Sequence, residues 1–206
     1  MRYRRIPDEA VGRLPMYLRG LLLLAEQGLK DVSSQKLGEL LHIDSPQIRK
    51  DLSYFGAFGT PGVGYDARKL AKQIRSILKL DTTKKAALVG LGNLGSALLR
   101  YPGFSTYGLE ISAVFDSDPK KIGKTVNNIK VQDVSKLSTL RKKGITLAII
   151  AVPALAAQKV ADGLVAAGVN GILNFAPYYV DVPKKVKVIS IDIAMDLARQ
   201  IGRAHV

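Results

Sequence analysis

Cysteine and tryptophan are absent from this 206-residue sequence, and histidine occurs only as His42 and His205. Without cysteine there is no disulfide framework, no thiolate metal site and no cysteine nucleophile, and two isolated histidines cannot build a metal cluster. Any redox role must therefore run through a bound cofactor, and no metal is expected. No apolar run approaches the roughly 20 residues of a membrane span, and the Arg-rich start Met1–Arg5 leads into Pro7-Asp8-Glu9 rather than an apolar signal core. A soluble cytoplasmic protein is expected. Acidic residues are scarce, 17 against 31 Lys and Arg, so the net charge is +14 and a polyanion such as nucleic acid is the natural partner. Bulk charge does not say which half meets it. Up to residue 85 there are 16 basic and 9 acidic residues, and beyond it 15 and 8, so each part carries +7.

Residues 1–80 read as helices broken by turns, a winged-helix domain with a helix-turn-helix within 16–55. Val11, Leu14, Leu18, Leu21, Leu22 and Ala25 recur at helical spacing, with Gly28 placed to stop the helix and Pro15 to bend or restart it. Ser33 or Ser34 can cap a second helix. Ser45 suits an N-cap and Pro46 the first helical position, which starts a third helix running to about Tyr54. Ile48 and Leu52 share its inner side, leaving Gln47, Arg49, Lys50 and Ser53 outward, as a recognition helix requires. Gly56 to Tyr65 then reads as a hairpin wing, and Asp66 caps a last helix facing inward through Leu70, Ile74, Ile77 and Leu78. Arg49 and Lys50 are the expected groove or phosphate contacts, Gln47 and Ser53 their support, and Phe58 and Gly59 the wing probe. Arg2, Arg4 and Arg5 form either a basic arm or a plain terminus.

Residues 85–190 change character: apolar runs alternate with helical stretches, the pattern of a Rossmann-type doubly wound parallel sheet. Strands are expected at 86–90, 111–116, 129–131, 147–152, 171–176 and 186–191, with helices from Leu94, over 133–143 and over 154–167. Gly90-Leu91-Gly92-Asn93-Leu94-Gly95 sits between the first strand and its helix, where glycines allow a tight turn, backbone approach to a pyrophosphate and close helix–strand packing. Asp116, 21 residues after Gly95, is placed to accept from adenosine ribose hydroxyls and to repel a 2′-phosphate, which favours NAD(H) over NADP(H). Val152-Pro153 and Asn174-Phe175-Ala176-Pro177 end strands on the same edge, where they either line a ligand or simply close a strand. Asp118, before Pro119, reads as a turn residue, and Tyr178, Tyr179 and Lys121, conceivable acids in such a cleft, read more readily as packing or surface. Neither histidine is placed to act as a proton donor in that cleft, so no catalysis is expected.

The strings Ser45-Pro46-Gln47-Ile48-Arg49-Lys50-Asp51-Leu52-Ser53-Tyr54-Phe55-Gly56, Gly62-Val63-Gly64-Tyr65, Gly90–Gly95, Tyr101-Pro102-Gly103-Phe104 and Gly171–Pro177 closely resemble the bacterial Rex family of redox-sensing transcriptional repressors. The resemblance covers nearly the whole chain. It implies a homodimer that binds an inverted-repeat operator when NAD+ is plentiful and releases it when NADH binds, both nucleotides acting as effectors rather than reactants. It also implies that residues 191–206 form a helix swapped onto the partner subunit. By motif position it puts Tyr101, Arg19 and Asp192 of the partner subunit in a switch, and Ile193 where the family has an apolar, often aromatic, residue near the nicotinamide. Two other classes stand beside it: an NAD-dependent oxidoreductase with an accessory DNA-binding domain, and a repressor sensing an adenine-containing metabolite such as an acyl-CoA.

Overall fold

The computed structural model describes residues 6–204, which fall into two units divided between Thr82 and Thr83. The expected arm of Arg2, Arg4 and Arg5, and His205, lie outside the described residues. In the first unit, helix α1 (Asp8–Glu26) buries Ala10, Leu14, Tyr17, Leu18, Leu21 and Leu24 along one side. Each buried leucine stabilises the unit by about 1.5–3 kcal/mol. Pro15 does not restart α1, which is continuous through it. Its ring stands on the exposed side with Val11, whose carbonyl, deprived of its helical donor, opens to water. Gly28, at φ +86°, ends the helix as its sequence position predicts, with Gly28 N–H donating to Ala25 and Leu29 N–H to Leu24.

Strand β1 (Asp31–Val32) leads into α2 (Ser34–Leu41), and it is Ser33 whose hydroxyl accepts from Lys36 N–H at 3.0 Å. Helix α3 spans Ser45–Ser53. Asp44 holds its N-cap position, not Ser45, because the Ser45 hydroxyl is taken by Arg49. The wing also departs from expectation. Thr60 and Gly64 form a lone antiparallel bridge, and the returning strand β2 (Tyr65–Asp66) pairs with β1 instead of with a wing strand. Two residues of β1 carry too short a pattern to be seen in sequence. Asp66 caps α4 (Ala67–Ile77) by accepting from Lys69 N–H at 2.8 Å, and Leu70 and Ile74 pack inward.

The second unit is a seven-stranded sheet in the order β5-β6-β4-β3-β7-β8-β9. Its strands are β3 (Lys84–Val89), β4 (Leu109–Asp116), β5 (Thr125–Val126), β6 (Ile129–Asp133), β7 (Leu147–Ile150), β8 (Gly171–Asn174) and β9 (Lys187–Ser190). All pair in parallel except β5, which forms a hairpin with β6 through Asn127-Asn128, both at positive φ. Apart from that hairpin, the order places the first strand centrally and reverses direction between β3 and β7, the switch point where open sheets bind nucleotides. Helices α5 (Asn93–Leu99), α6 (Gly103–Thr106), α7 (Thr139–Lys142) and α8 (Ala154–Ala166) connect the strands. The helix expected over 133–143 is instead a 3-10 turn (Val134–Lys136), capped by Asp133, followed by the single turn α7. In that stretch only Leu137 and Leu140 are buried, too few anchors to hold a longer helix. One core, around Val89, Phe115, Leu140, Ile150 and Leu164, fills the α8 side of the sheet, and a second, around Leu88, Leu99, Val114 and Ile149, fills the α5 side. Helix α9 (Ile193–Ala204) closes the described chain and exposes Ile193, Met195, Leu197 and Ile201.

Candidate functional site

The turn after β3 is built by steric necessity. Gly90 has φ +96°, and a Cβ on it would strike the Ala151 carbonyl, while a Cβ on Gly95 would overlap the Gly90 carbonyl oxygen. Gly92 differs from both: its φ is −76° and nothing lies within 4 Å of where a Cβ would be. No neighbour in the chain requires glycine there. Leu91 is buried, whereas Asn93 and Leu94 are exposed at the start of α5, whose first N–H groups have no helical acceptor.

Asp116, at the end of β4, is buried beneath this turn. Its Oδ2 accepts Leu91 N–H at 2.7 Å and the Lys121 ammonium at 3.3 Å, and its Oδ1 accepts Asp118 N–H at 2.8 Å. Burial pushes its pKa upward, but the two backbone N–H groups and Lys121 outweigh that and hold the carboxyl below its ordinary value. A carboxylate offers roughly four acceptor positions. With three occupied, Asp116 retains one acceptor position and gains a second only if Lys121 swings away. Asp118 is the turn residue the sequence suggests, accepting Lys120 N–H at 2.9 Å, and it adds a weak ion pair with Lys121 at 3.9 Å. Gly90, Gly92, Asp116, Lys121, Val152 and Pro153 surround a cavity of about 870 Å³ that continues between the 3-10 turn and α8.

The other expected nucleotide residues gather elsewhere. Ala176, Pro177 and Asp192 line a smaller recess of about 200 Å³, whereas Phe175 packs half-buried onto the α5-side core. Tyr101 is exposed and meets Phe104 edge-on at 5.4 Å between ring centroids, and Ile193 is 65% exposed on α9. Neither Tyr101, Phe175 nor Ile193 lines either space.

In the first unit Arg49, Lys50 and Ser53 are exposed on α3, as expected. The Arg49 guanidinium is held by the hydroxyls of Ser34 at 2.9 Å and Ser45 at 3.0 Å, and Ser53 donates to the Lys50 carbonyl at 2.7 Å. Gln47 is not fully outward: it is half-buried and donates to Asp51 Oδ1 at 2.7 Å. Phe58 is half-buried and Gly59 exposed, and both border the cleft of about 470 Å³ between α3 and the wing. Asp51 is wholly buried and takes the Arg13 guanidinium at 2.5 and 2.9 Å and the Tyr17 hydroxyl at 2.6 Å. Burial raises the Asp51 pKa, yet the bonds from Arg13, Tyr17 and Gln47 win and lower it, while the same hydrogen bond raises that of Arg13. Arg19 is exposed on α1.

Curated proteins share this sequence at length. A redox-sensing transcriptional repressor Rex of Chloroflexus aggregans is 51% identical over 187 residues, 90% of this chain and 88% of its own, and one of Thermus thermophilus is 46% identical over 195 residues, 95% and 92%. The chain belongs to the Rex family of redox-sensing transcriptional repressors. Among solved Rex-family structures, that of RSP in complex with β-NAD+ and operator DNA matches with TM-score 0.89 at 33% identity, covering 98% of this chain and 93% of that one. RSP in complex with β-NADH matches at 0.86, with 31% identity and coverage of 98% and 95%. Family models named for a DNA-binding protein N-terminus and a CoA binding domain match residues 5–53 and 81–178. For this Rex chain, sequence reasoning overlooked three structural participants. Lys121 was taken as surface although its i+5 distance from Asp116 across a Pro turn was a readable signal. Asn174, read only as part of a strand end, gives none for its bond to Ser190, and the Arg13–Tyr17–Asp51 cluster gives none, since those partners lie 16, 34 and 38 residues off in sequence.

Proposed function

We propose that this chain represses transcription as a homodimer in the cytoplasm, holding a palindromic operator through α3 and the wing and releasing it when NADH occupies the glycine-turn cleft. The observation that carries the nucleotide half is Gly92, a glycine that its own chain does not need. The adenosine ribose meets Asp116, the pyrophosphate the turn of Gly90, Leu91, Gly92 and the α5 start at Asn93, Leu94 and Gly95, and the cleft walls are Val152 and Pro153. The nicotinamide lies toward Phe175, Ala176 and Pro177, with Ile193 near it, and Tyr101, Arg19 and the partner's Asp192 form the switch. Bound nucleotide supplies a ring that is neutral as NADH and cationic as NAD+. Desolvating the cation against apolar side chains is costly without a paired anion, so NADH binds more tightly. A ligand shifts a dimer only by its differential affinity for two shapes, so NADH favours the released one and operator DNA must weaken NADH in return. Binding suffices, and the protein acts without turnover; steady consumption of NADH with small carbonyl substrates would contradict this.

The partner subunit covers α9, whose Ile193, Leu197 and Ile201 follow one another at four-residue spacing and are 60–68% exposed in the single chain. On DNA, Arg49 and Lys50 contact bases or phosphates, Gln47 and Ser53 steady them, and Phe58 and Gly59 place the wing. Replacing Arg49 and Lys50 together by Ala is expected to abolish operator retention at fixed salt while NADH titration stays as in wild type; undiminished operator affinity refutes the assignment. Lys121 gives a finer prediction. It is the cation nearest Asp116, so Lys121→Met should weaken NADPH about fivefold more than NADH, the scale of one half-exposed charge pair at about 1 kcal/mol. Parallel titrations of the two nucleotides read this directly.

A further inference from the structure

Asp51, Asp116 and Asn174 are the buried polar side chains among the described residues. The two carboxylates have visible work, one under the recognition helix and one under the glycine turn. Asn174 is fully buried at the end of β8, lining neither space itself but bonded to Ala176, Tyr178, Ser190 and Ile191, which line the smaller recess. Its Oδ1 accepts Ala176 N–H at 3.0 Å, and its Nδ2 donates to the carbonyls of Tyr178 at 2.8 Å and Ala176 at 3.3 Å and to Ser190 Oγ at 3.4 Å. Its backbone carbonyl accepts Ile191 N–H at 2.8 Å. One residue thus fastens two separate segments: the loop carrying Ala176 and Pro177, and the end of β9. Immediately after β9, Asp192 starts α9, accepting Met195 N–H on its carboxylate at 3.0 Å and Asp196 N–H on its carbonyl at 2.8 Å.

We propose that Asn174 is a positioning residue that transmits nucleotide contact at the Ala176–Pro177 loop to the root of α9. The inference rests on the reading that the nicotinamide end of NADH reaches this loop. The chemistry selects an amide. One side chain must accept from Ala176 N–H and donate to carbonyls on both sides of the loop; aspartate lacks the donors and leucine lacks both functions. Stability alone does not call for it, since an apolar residue of this size would suit the end of a buried strand as well. Any shift of the loop under a bound ring must break the bonds to Tyr178 and Ala176 or turn the Asn174 amide. Because the amide also reaches Ser190 Oγ, and the Asn174 backbone carbonyl holds the next residue, Ile191, the turn pulls on the segment that leads into α9, whose apolar face must be either covered or exposed. That choice between two placements is the discrete element that coupling requires.

The test uses the full-length dimer. Operator affinity is measured with and without saturating NADH, and NADH affinity by its own titration, for wild type and Asn174→Ser. The variant is expected to keep NADH affinity within about threefold and to bind operator without nucleotide, while the NADH-induced loss of operator affinity shrinks about tenfold. Hydrogen exchange in the wild type gives a second measurement that no folding defect can spoil: NADH should change protection at Ala176 and Ile191 together. An Ile191 amide indifferent to NADH while Ala176 responds, or a variant with full NADH-driven release, overturns the proposal. A wild type that keeps its operator in NADH fails at the effector reading first, and so is told apart.

Discussion

Asp51→Ala will destabilise the N-terminal unit by about 3 kcal/mol, the scale for opening a buried ion pair, and will remove operator binding with it. Arg13 can recover water, since its side chain is 30% exposed, but the Tyr17 hydroxyl is left buried without its acceptor and Gln47 loses the bond that orients it. Helix α3 is tied to α1 through this carboxylate, so the variant loosens the face that carries Arg49 and Lys50. For a unit of this size the loss corresponds to a melting shift of about 15 °C, read by thermal scanning of full-length protein, while the second unit should melt unchanged. A transition within about 2 °C of wild type for the first unit would show that the cluster adds no net stability. The pH dependence has a definite sign. The folded pKa of Asp51 lies below its ordinary value of 3.8, so its contribution is complete above that pH and is lost as pH falls through the folded value. Between pH 5 and 8 the cluster should add no slope to the stability.

This cluster also shows where sequence reasoning ends. Gln47 was assigned outward from its helical phase, and phase alone permits that. What pulls it inward is a carboxylate four residues on, Asp51, which the same phase argument would not bury. Burial of Asp51 becomes understandable only with Arg13 and Tyr17 beside it, 38 and 34 residues away. The parts of the fold that were legible are those governed by local rules: the stop at Gly28, the caps at Ser33 and Asp66, and the β3–turn–α5 passage with Asp116 closing β4. Those that were not depend on pairing between distant segments. Strand β1 exists because Tyr65 and Asp66 return to it, and β5 because two asparagines accept positive φ, a role usually signalled by glycine.

The glycine turn makes the same distinction within six residues. As a sequence pattern, Gly90, Gly92 and Gly95 are equivalent, whereas the structure separates them into two that the chain requires and one that it does not. Position marks all three alike, and only geometry says which glycine the chain itself does not need. The bonds of Asp116 to Leu91 and Asp118 make it part of the turn as well as the ribose acceptor we propose. Removing Asp116 would disturb both functions at once, so it is a poor probe of nucleotide binding by itself.

Gly92→Val is the sharper probe, and the second large effect expected. Valine is sterically allowed at φ −76° and ψ −163°, and its side chain enters open space, so the melting temperature of the second unit should stay within about 2 °C of wild type. NADH affinity should fall about 100-fold, roughly 2.7 kcal/mol, because the branched carbon occupies the place of the closest phosphate approach. Gly95→Ala adds two carbons fewer yet meets backbone, the Gly90 carbonyl, which cannot move without dragging the turn; there both stability and NADH affinity should fall, by about 1–3 kcal/mol in stability. If Gly92→Val binds NADH as wild type does, the cleft is not where the nucleotide sits, whatever the melting data say. If it does not bind, the consequence reaches the operator: with the NADH site closed and α3 untouched, the variant should hold its DNA equally well in NADH and in NAD+, a repressor that no longer answers to the redox state.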